Sequence, residues 1–128
     1  MIELLKRALR WSPLYASIQK RRWRQSADRW DASDQQRFEF YRQFVRPDEL
    51  CFDVGANVGN RTKIFLALGA RVVAIEPQDD CLDFLRNTYG ANPRLTILEN
   101  VLGATEGVAD LMISEVNTLS SLSREWVD

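Results

Sequence analysis

The rhythm of hydrophobic and polar positions changes near residue 48, and the change separates two kinds of structure. Before it, apolar residues recur at helical spacing among many cations. Residues 3–10 read as a short helix stopped near Pro13. A second helix is predicted from Leu14 to about Trp30, carrying Tyr15, Ile18, Trp23 and Trp30. A third begins at Ser33, where Ser33 and Gln36 have the spacing of a capping box. Phe38, Tyr41 and Val45, with Phe40 and Phe44, form its apolar stripe, and Pro47 ends it.

After residue 48, short apolar runs alternate with amphipathic ones. "LCFDVG" (50–55), "RVVAIEP" (71–77) and "RLTILENV" (94–101) read as strands, the first of the type buried in a parallel sheet. "NRTKIFLALG" (60–69) and "DDCLDFLRNTYG" (79–90) read as helices that close on glycine. Short links make this a βαβαβ unit with right-handed crossovers. A fourth extended run, "EGVADLMIS" (106–114), follows a link too short for a crossover helix, so an antiparallel hairpin with the third strand is expected. The tail from residue 115 is polar and takes no assignment. The predicted fold class is α/β: part of a Rossmann-like domain, with three parallel strands plus a hairpin, preceded by N-terminal helices. Residues 1–46 form the helical segment and 47–128 the half-domain.

Charge sharpens that division. Residues 1–47 carry 11 Lys and Arg against 5 Asp and Glu, whereas residues 48–128 carry 6 against 13. The cationic, aromatic stretch 14–30 has two readings. Its Trp and Tyr pack on the body with solvated Arg outside, or the helix touches a membrane surface or a partner. No nucleic-acid motif is present, and nucleic acid is not an expected partner. No apolar run approaches the roughly 20 residues of a membrane helix. The N-terminus has no cleavable secretion signal. Cys51 and Cys81 then read as reduced thiols of a cytoplasmic protein. The chain contains no histidine, which removes histidine acid–base chemistry, Ser–His triads and most zinc sites; no metal is expected.

The candidate chemistry lies in "CFDVGANVGN" (51–60), where the first strand hands over to the first helix. Ligands of such sheets bind at the carboxyl ends of the strands. Gly55 and Gly59 carry no side chain to block an approach, and Asn57 tolerates unusual backbone angles. Glu76 ends the second strand, where a carboxylate can accept hydrogen bonds from both hydroxyls of a ribose. A dinucleotide and S-adenosylmethionine both fit. Two features favour S-adenosylmethionine over the dinucleotide of a nicotinamide dehydrogenase. The spacing is G-x-N-x-G rather than G-x-G-x-x-G, and Asp53 at the mouth would repel a pyrophosphate while suiting an ammonium and a sulfonium.

On these residues the chain resembles the FkbM-type family of S-adenosylmethionine-dependent methyltransferases. The resemblance runs through "FDVGANVGNRTKIFLALGARVVAIEPQ" (52–78), "ILENVLGATEGVADLMIS" (97–114) and "NTLSSLS" (117–123). It implies a class I methyltransferase fold and methyl transfer, most often to a hydroxyl oxygen, with a small molecule or glycan as acceptor and S-adenosyl-L-methionine as cofactor. By the same resemblance, Asp53, Gly55, Asn57 and Gly59 would line the methionine part and Glu76 would hold the ribose. Glu99, Asn100 and Val101 would approach the adenine, with a turn role as the other reading of Asn100. Asn117, Ser120 and Ser121 would shape the acceptor pocket or belong to a polar loop. Asp79 and Asp80 are read as caps of the second helix, and no catalytic base is identified. Family members continue into further strands, so a truncated form lacking the acceptor half is expected. The alternative is a non-catalytic Rossmann-like remnant that binds partners or self-associates as a homo-oligomer through its open strand edge.

Overall fold

The computed structural model describes residues 13–112 and 122. Its elements are α1 (Pro13–Asp28), α2 (Ala32–Tyr41), β1 (Leu50–Val54), α3 (Asn60–Ala67), β2 (Arg71–Ile75), α4 (Asp79–Tyr89) and β3 (Leu95–Leu98). The chain divides into two compact units between Trp30 and Asp31. Helix α2 therefore groups with the sheet, whereas the composition places the boundary at 46/47. In the first unit, no residue of α1 is buried, and Leu14 and Ile18 are exposed. No helix among the described residues is long and apolar enough to cross a membrane.

The second unit is an open parallel sheet in the order β1–β2–β3. Leu50 pairs with Arg71 and Val54 with Ile75 across the first ladder, and Val72 with Leu95 and Ile75 with Leu98 across the second. This is the Rossmann-like α/β arrangement that the alternating pattern predicts.

One face of the sheet carries the core. Val72 and Ala74 are two apart on β2 and point the same way. Val72 packs with Phe65 of α3, and Ala74 with Leu85 of α4. Both crossover helices thus cover one face, as successive right-handed crossovers in a 1-2-3 strand order require. The expectation that β1 is buried on both faces is corrected by this geometry. Its alternate residues Leu50, Phe52 and Val54 are exposed, Phe52 by 60%, and Leu98 of β3 is exposed beside them.

The expected hairpin does not form among the described residues. Strand β3 ends at Leu98, residues 99–111 are loop, and Met112 alone makes a bridge. Gly103 and Gly107 interrupt the run, and Val108 is fully exposed, so the segment has no apolar face to hold it in a ladder. Residues 113 and 114 lie outside the described residues.

Helix α2 starts two residues earlier than Ser33 suggests. The capping box is Asp31 with Asp34: the Asp34 N–H donates to Asp31 Oδ1 at 2.8 Å, and the Asp31 N–H donates to Asp34 Oδ2 at 3.3 Å. The buried Asp34 then takes Lys63 Nζ of α3 at 2.6 Å and Arg37 Nη1 at 3.3 Å, which ties α2 to α3. Tyr41 meets Phe65 edge-on beside that tie, with ring centroids 4.9 Å apart. Cys51 and Cys81 are both free thiols, and burial, then the charge of Glu49, pushes the Cys51 thiol up.

Burial alone would raise the Asp34 carboxyl. The hydrogen bonds from Lys63 and from the Asp31 N–H, with the charges of Lys63 and Arg37, outweigh it and hold the group below its ordinary value of 3.8. Its stabilisation is therefore complete above 3.8 and is lost as pH falls through the lower folded-state value. Lys63→Met leaves the buried acid without its main cation and should cost about 3 kcal/mol in urea denaturation at neutral pH. That penalty should shrink steadily between pH 5 and pH 2 as Asp34 protonates; a pH-independent penalty would mean that the Lys63 stem, not its charge, is what matters.

Candidate functional site

The loop from Gly55 to Gly59 leaves the end of β1 and is bound to the end of β2. Gly55 N–H and Ala56 N–H both donate to the Ile75 carbonyl, at 2.9 and 3.0 Å. The Asn57 N–H donates to Glu76 Oε2 at 2.7 Å, and the Gln78 N–H donates to Glu76 Oε1 at 2.9 Å. Glu76 is only 2% exposed, and its own N–H is held by the Leu98 carbonyl. One carboxylate thereby joins the loop after β1 to the turn after β2. A carboxylate has about four lone-pair positions, so two remain for a ligand.

The remaining loop groups close on themselves. Val58 N–H donates to Asn57 Oδ1 at 2.8 Å, and Gly59 N–H to the Ala56 carbonyl at 2.8 Å. Every N–H from 55 to 59 thus has an internal acceptor. Asn57 holds this turn with φ of 52°, a left-handed value that Asn tolerates better than most residues.

The loop opens onto a cavity of about 750 Å³. Gly55, Ala56 and Asn57 form part of its wall, Glu76 and Gln78 another, and Asn100, Val101 and Leu102 a third. Helix α2 contributes Gln36, Arg37, Phe40 and Tyr41, and the first turn of α3 contributes Asn60 and Arg61. Leu111 and Leu122 complete the apolar part.

Of the residues singled out from the sequence, Gly55, Asn57, Glu76 and Asn100 meet at this cavity. Val101 joins them there, whereas Asp53 and Gly59 lie behind it. Asp53 is 2% exposed and accepts from Thr62 Oγ1 at 2.7 Å and from Arg61 Nε at 3.3 Å, so it anchors the start of α3. A Cβ on Gly59 would stand 2.8 Å from Leu85 and 2.9 Å from Tyr89, which makes that glycine a packing residue against α4. Asp53 is therefore buried and paired with Arg61 rather than set at the mouth of the loop to repel a pyrophosphate.

Glu99 lies outside the cavity wall and pairs with Arg86 at 3.1 Å on the surface. Asp79 and Asp80 sit in the first turn of α4, where their charge suits the helix dipole, but Gln78 is the N-cap and no side-chain cap bond forms. Asn117, Ser120 and Ser121 lie outside the described residues. Sequence reasoning missed Arg37 and Arg61. Arg61 had a local signal, a cation within one turn of the glycine loop, whereas Arg37 is brought in only by the packing of α2 on α3.

No protein-family model matches this chain, and no curated protein matches it. Among solved structures it is similar to the "putative rRNA-methylase from Clostridium thermocellum", with 19% identity and a TM-score of 0.47. The match covers 57% of this chain and 42% of that one, less than half of the neighbour's length.

The two loop glycines should respond differently to alanine. Gly59 has φ of 80° and no room for a Cβ, so Gly59→Ala should lose about 3 kcal/mol of stability from strain and overpacking. Gly55 has φ of 68° with open space beyond it, so Gly55→Ala should lose only about 1 kcal/mol. Urea denaturation of the two variants checks the order, and equal losses would refute the packing role assigned to Gly59.

Proposed function

We propose that this chain carries the S-adenosylmethionine site of a methyltransferase, of the FkbM type by the resemblance of residues 52–78. The acceptor would be a hydroxyl of a small molecule or glycan. The observation that carries the reading is the state of the glycine loop. A dinucleotide site presents loop N–H groups to a pyrophosphate. Here all five N–H groups from Gly55 to Gly59 already donate inside the protein. A phosphate would find no free N–H on residues 55–59, whereas a thioether or sulfonium needs none. Gly55 leaves open space for that part of the ligand. The reading is supported by Glu76, which lines the cavity and would accept from a ribose, and by the 100–102 wall, which would give surface to a base.

Methyl transfer asks the protein mainly to align donor and acceptor. In this reading the chain's own residues do the holding: Glu76 orients the ribose, the closed loop keeps a smooth wall, and Leu102, Leu111 and Leu122 give apolar surface. S-adenosylmethionine supplies the electrophilic methyl group.

Calorimetric titration tests this. The 128-residue chain should bind S-adenosylhomocysteine saturably and NAD not at all. Glu76→Gln replaces one acceptor oxygen by an amide that opposes a backbone N–H, and should weaken the adenosyl ligand at least tenfold. Binding of NAD without S-adenosylhomocysteine would overturn the reading.

A second reading, a non-catalytic module that self-associates, is favoured by one observation. Among the described residues β1 pairs only with β2, and its exposed face is apolar at Leu50, Phe52 and Val54. Sedimentation velocity should then show a concentration-dependent dimer that Phe52→Lys abolishes; a monomer at all concentrations removes this reading.

A further inference from the structure

An adenosyl ligand with a homocysteine or methionine arm carries an α-carboxylate, and that anion needs donors. The loop N–H groups from Gly55 to Gly59 are all engaged internally, so that stretch of backbone does not supply them. Two cations stand in the cavity wall, Arg61 from the first turn of α3 and Arg37 from α2.

Each is anchored from behind by a buried acid. Arg61 donates through Nε to Asp53 Oδ1 at 3.3 Å, with its side chain 51% exposed. Among the described residues this is its one ion pair, which leaves the two Nη groups of the fork for the cavity. Arg37 donates through Nη1 to Asp34 Oδ1 at 3.3 Å, and Asp34 is shared with Lys63. The charges are therefore sorted by depth: carboxylates of Asp34 and Asp53 inside the protein, guanidinium groups at the cavity. The one acid in the cavity wall among the described residues, Glu76, has each of its oxygens on a backbone N–H. A planar fork held at one nitrogen is the arrangement suited to a carboxylate, because both remaining donors reach its two oxygens together.

We propose that Arg61, with Arg37 beside it, binds the α-carboxylate at the amino-acid end of the adenosyl ligand and sets the preference for ligands that carry one. This deepens the S-adenosylmethionine reading and rests on it. Asp53 then acts as a positioning residue. It accepts from Thr62 Oγ1 as well as from Arg61, so it holds the guanidinium to the helix start without being exposed to ligand itself.

The test compares S-adenosylhomocysteine with its decarboxylated analogue, which keeps adenosine, thioether and amine and lacks only the carboxylate. Binding of both to the 128-residue chain, to Arg61→Gln, to Arg61→Lys and to Arg37→Gln is measured by calorimetry, with thermal melts confirming that each variant is folded. The wild-type chain should prefer S-adenosylhomocysteine by about tenfold. Arg61→Gln should bring the two affinities together by weakening S-adenosylhomocysteine alone. Arg61→Lys keeps the charge beside Asp53 but loses the fork, and should fall between. Arg37→Gln should narrow the preference less than Arg61→Gln.

A preference that survives in Arg61→Gln and Arg37→Gln overturns the inference and leaves the adenosyl site standing, as does equal binding of the two ligands by the wild-type chain. Failure of the wild-type chain to bind either ligand overturns the adenosyl reading and the inference with it.

Discussion

The tie between Glu76 and the backbone of two loops is the interaction on which the site depends. Parallel strands end side by side, but nothing in a parallel ladder fixes the loops that leave them. Here the Glu76 carboxylate takes the Asn57 N–H on one side and the Gln78 N–H on the other, in a place where water barely reaches. Hydrogen bonds to a charged acceptor in such surroundings are stronger than those between neutral groups. They hold Asn57 in its left-handed conformation and stop the loop from turning its N–H groups outward. The same carboxylate shapes the loop and lines the cavity.

That closure decides the kind of chemistry the site can recognise. A loop with free N–H groups is a nest for phosphate, whereas a loop with internal acceptors is an uncharged, smooth wall. Cationic side chains reach the cavity instead from the helices next to the loop. Arg61 and Arg37 reach the cavity because Asp53 and Asp34 are buried beneath them, each a carboxylate that would be costly inside the protein without its cation. Arg61 is held through Asp53 of β1 and Arg37 through Asp34 of its own helix, and the same Asp34 fastens α2 to Lys63 of α3.

Among the described residues the sheet is covered by helices on one face only. Successive crossovers of the same hand place α3 and α4 together, and α2 joins them through Lys63 and Phe65. The other face presents Leu50, Phe52, Val54 and Leu98 to solvent, a row that runs the length of β1. An apolar row beside an open strand edge is a surface that another segment or chain would cover favourably.

Much of this was legible in the sequence, because it is local. Three strands and two crossover helices follow from the alternation of short apolar runs with amphipathic ones, and their placement is within a few residues of that reading. Glu76 and the loop could be named from the strand–loop–helix order alone. What the sequence could not decide is direction. It marked Asp53 and Gly59 as ligand-facing, but a strand residue turns to one side or the other, and a glycine admits whatever comes close. Packing turned Asp53 under Thr62 and Arg61 and brought Leu85 against Gly59. The same limit hid Arg37, which enters the cavity only because Asp34 and Lys63, 29 residues apart, meet across two helices. Spacing along the chain determines which elements form and which loops bind. Burial and pairing between distant residues determine which side chains a ligand would meet, since that depends on which charges the core has already taken.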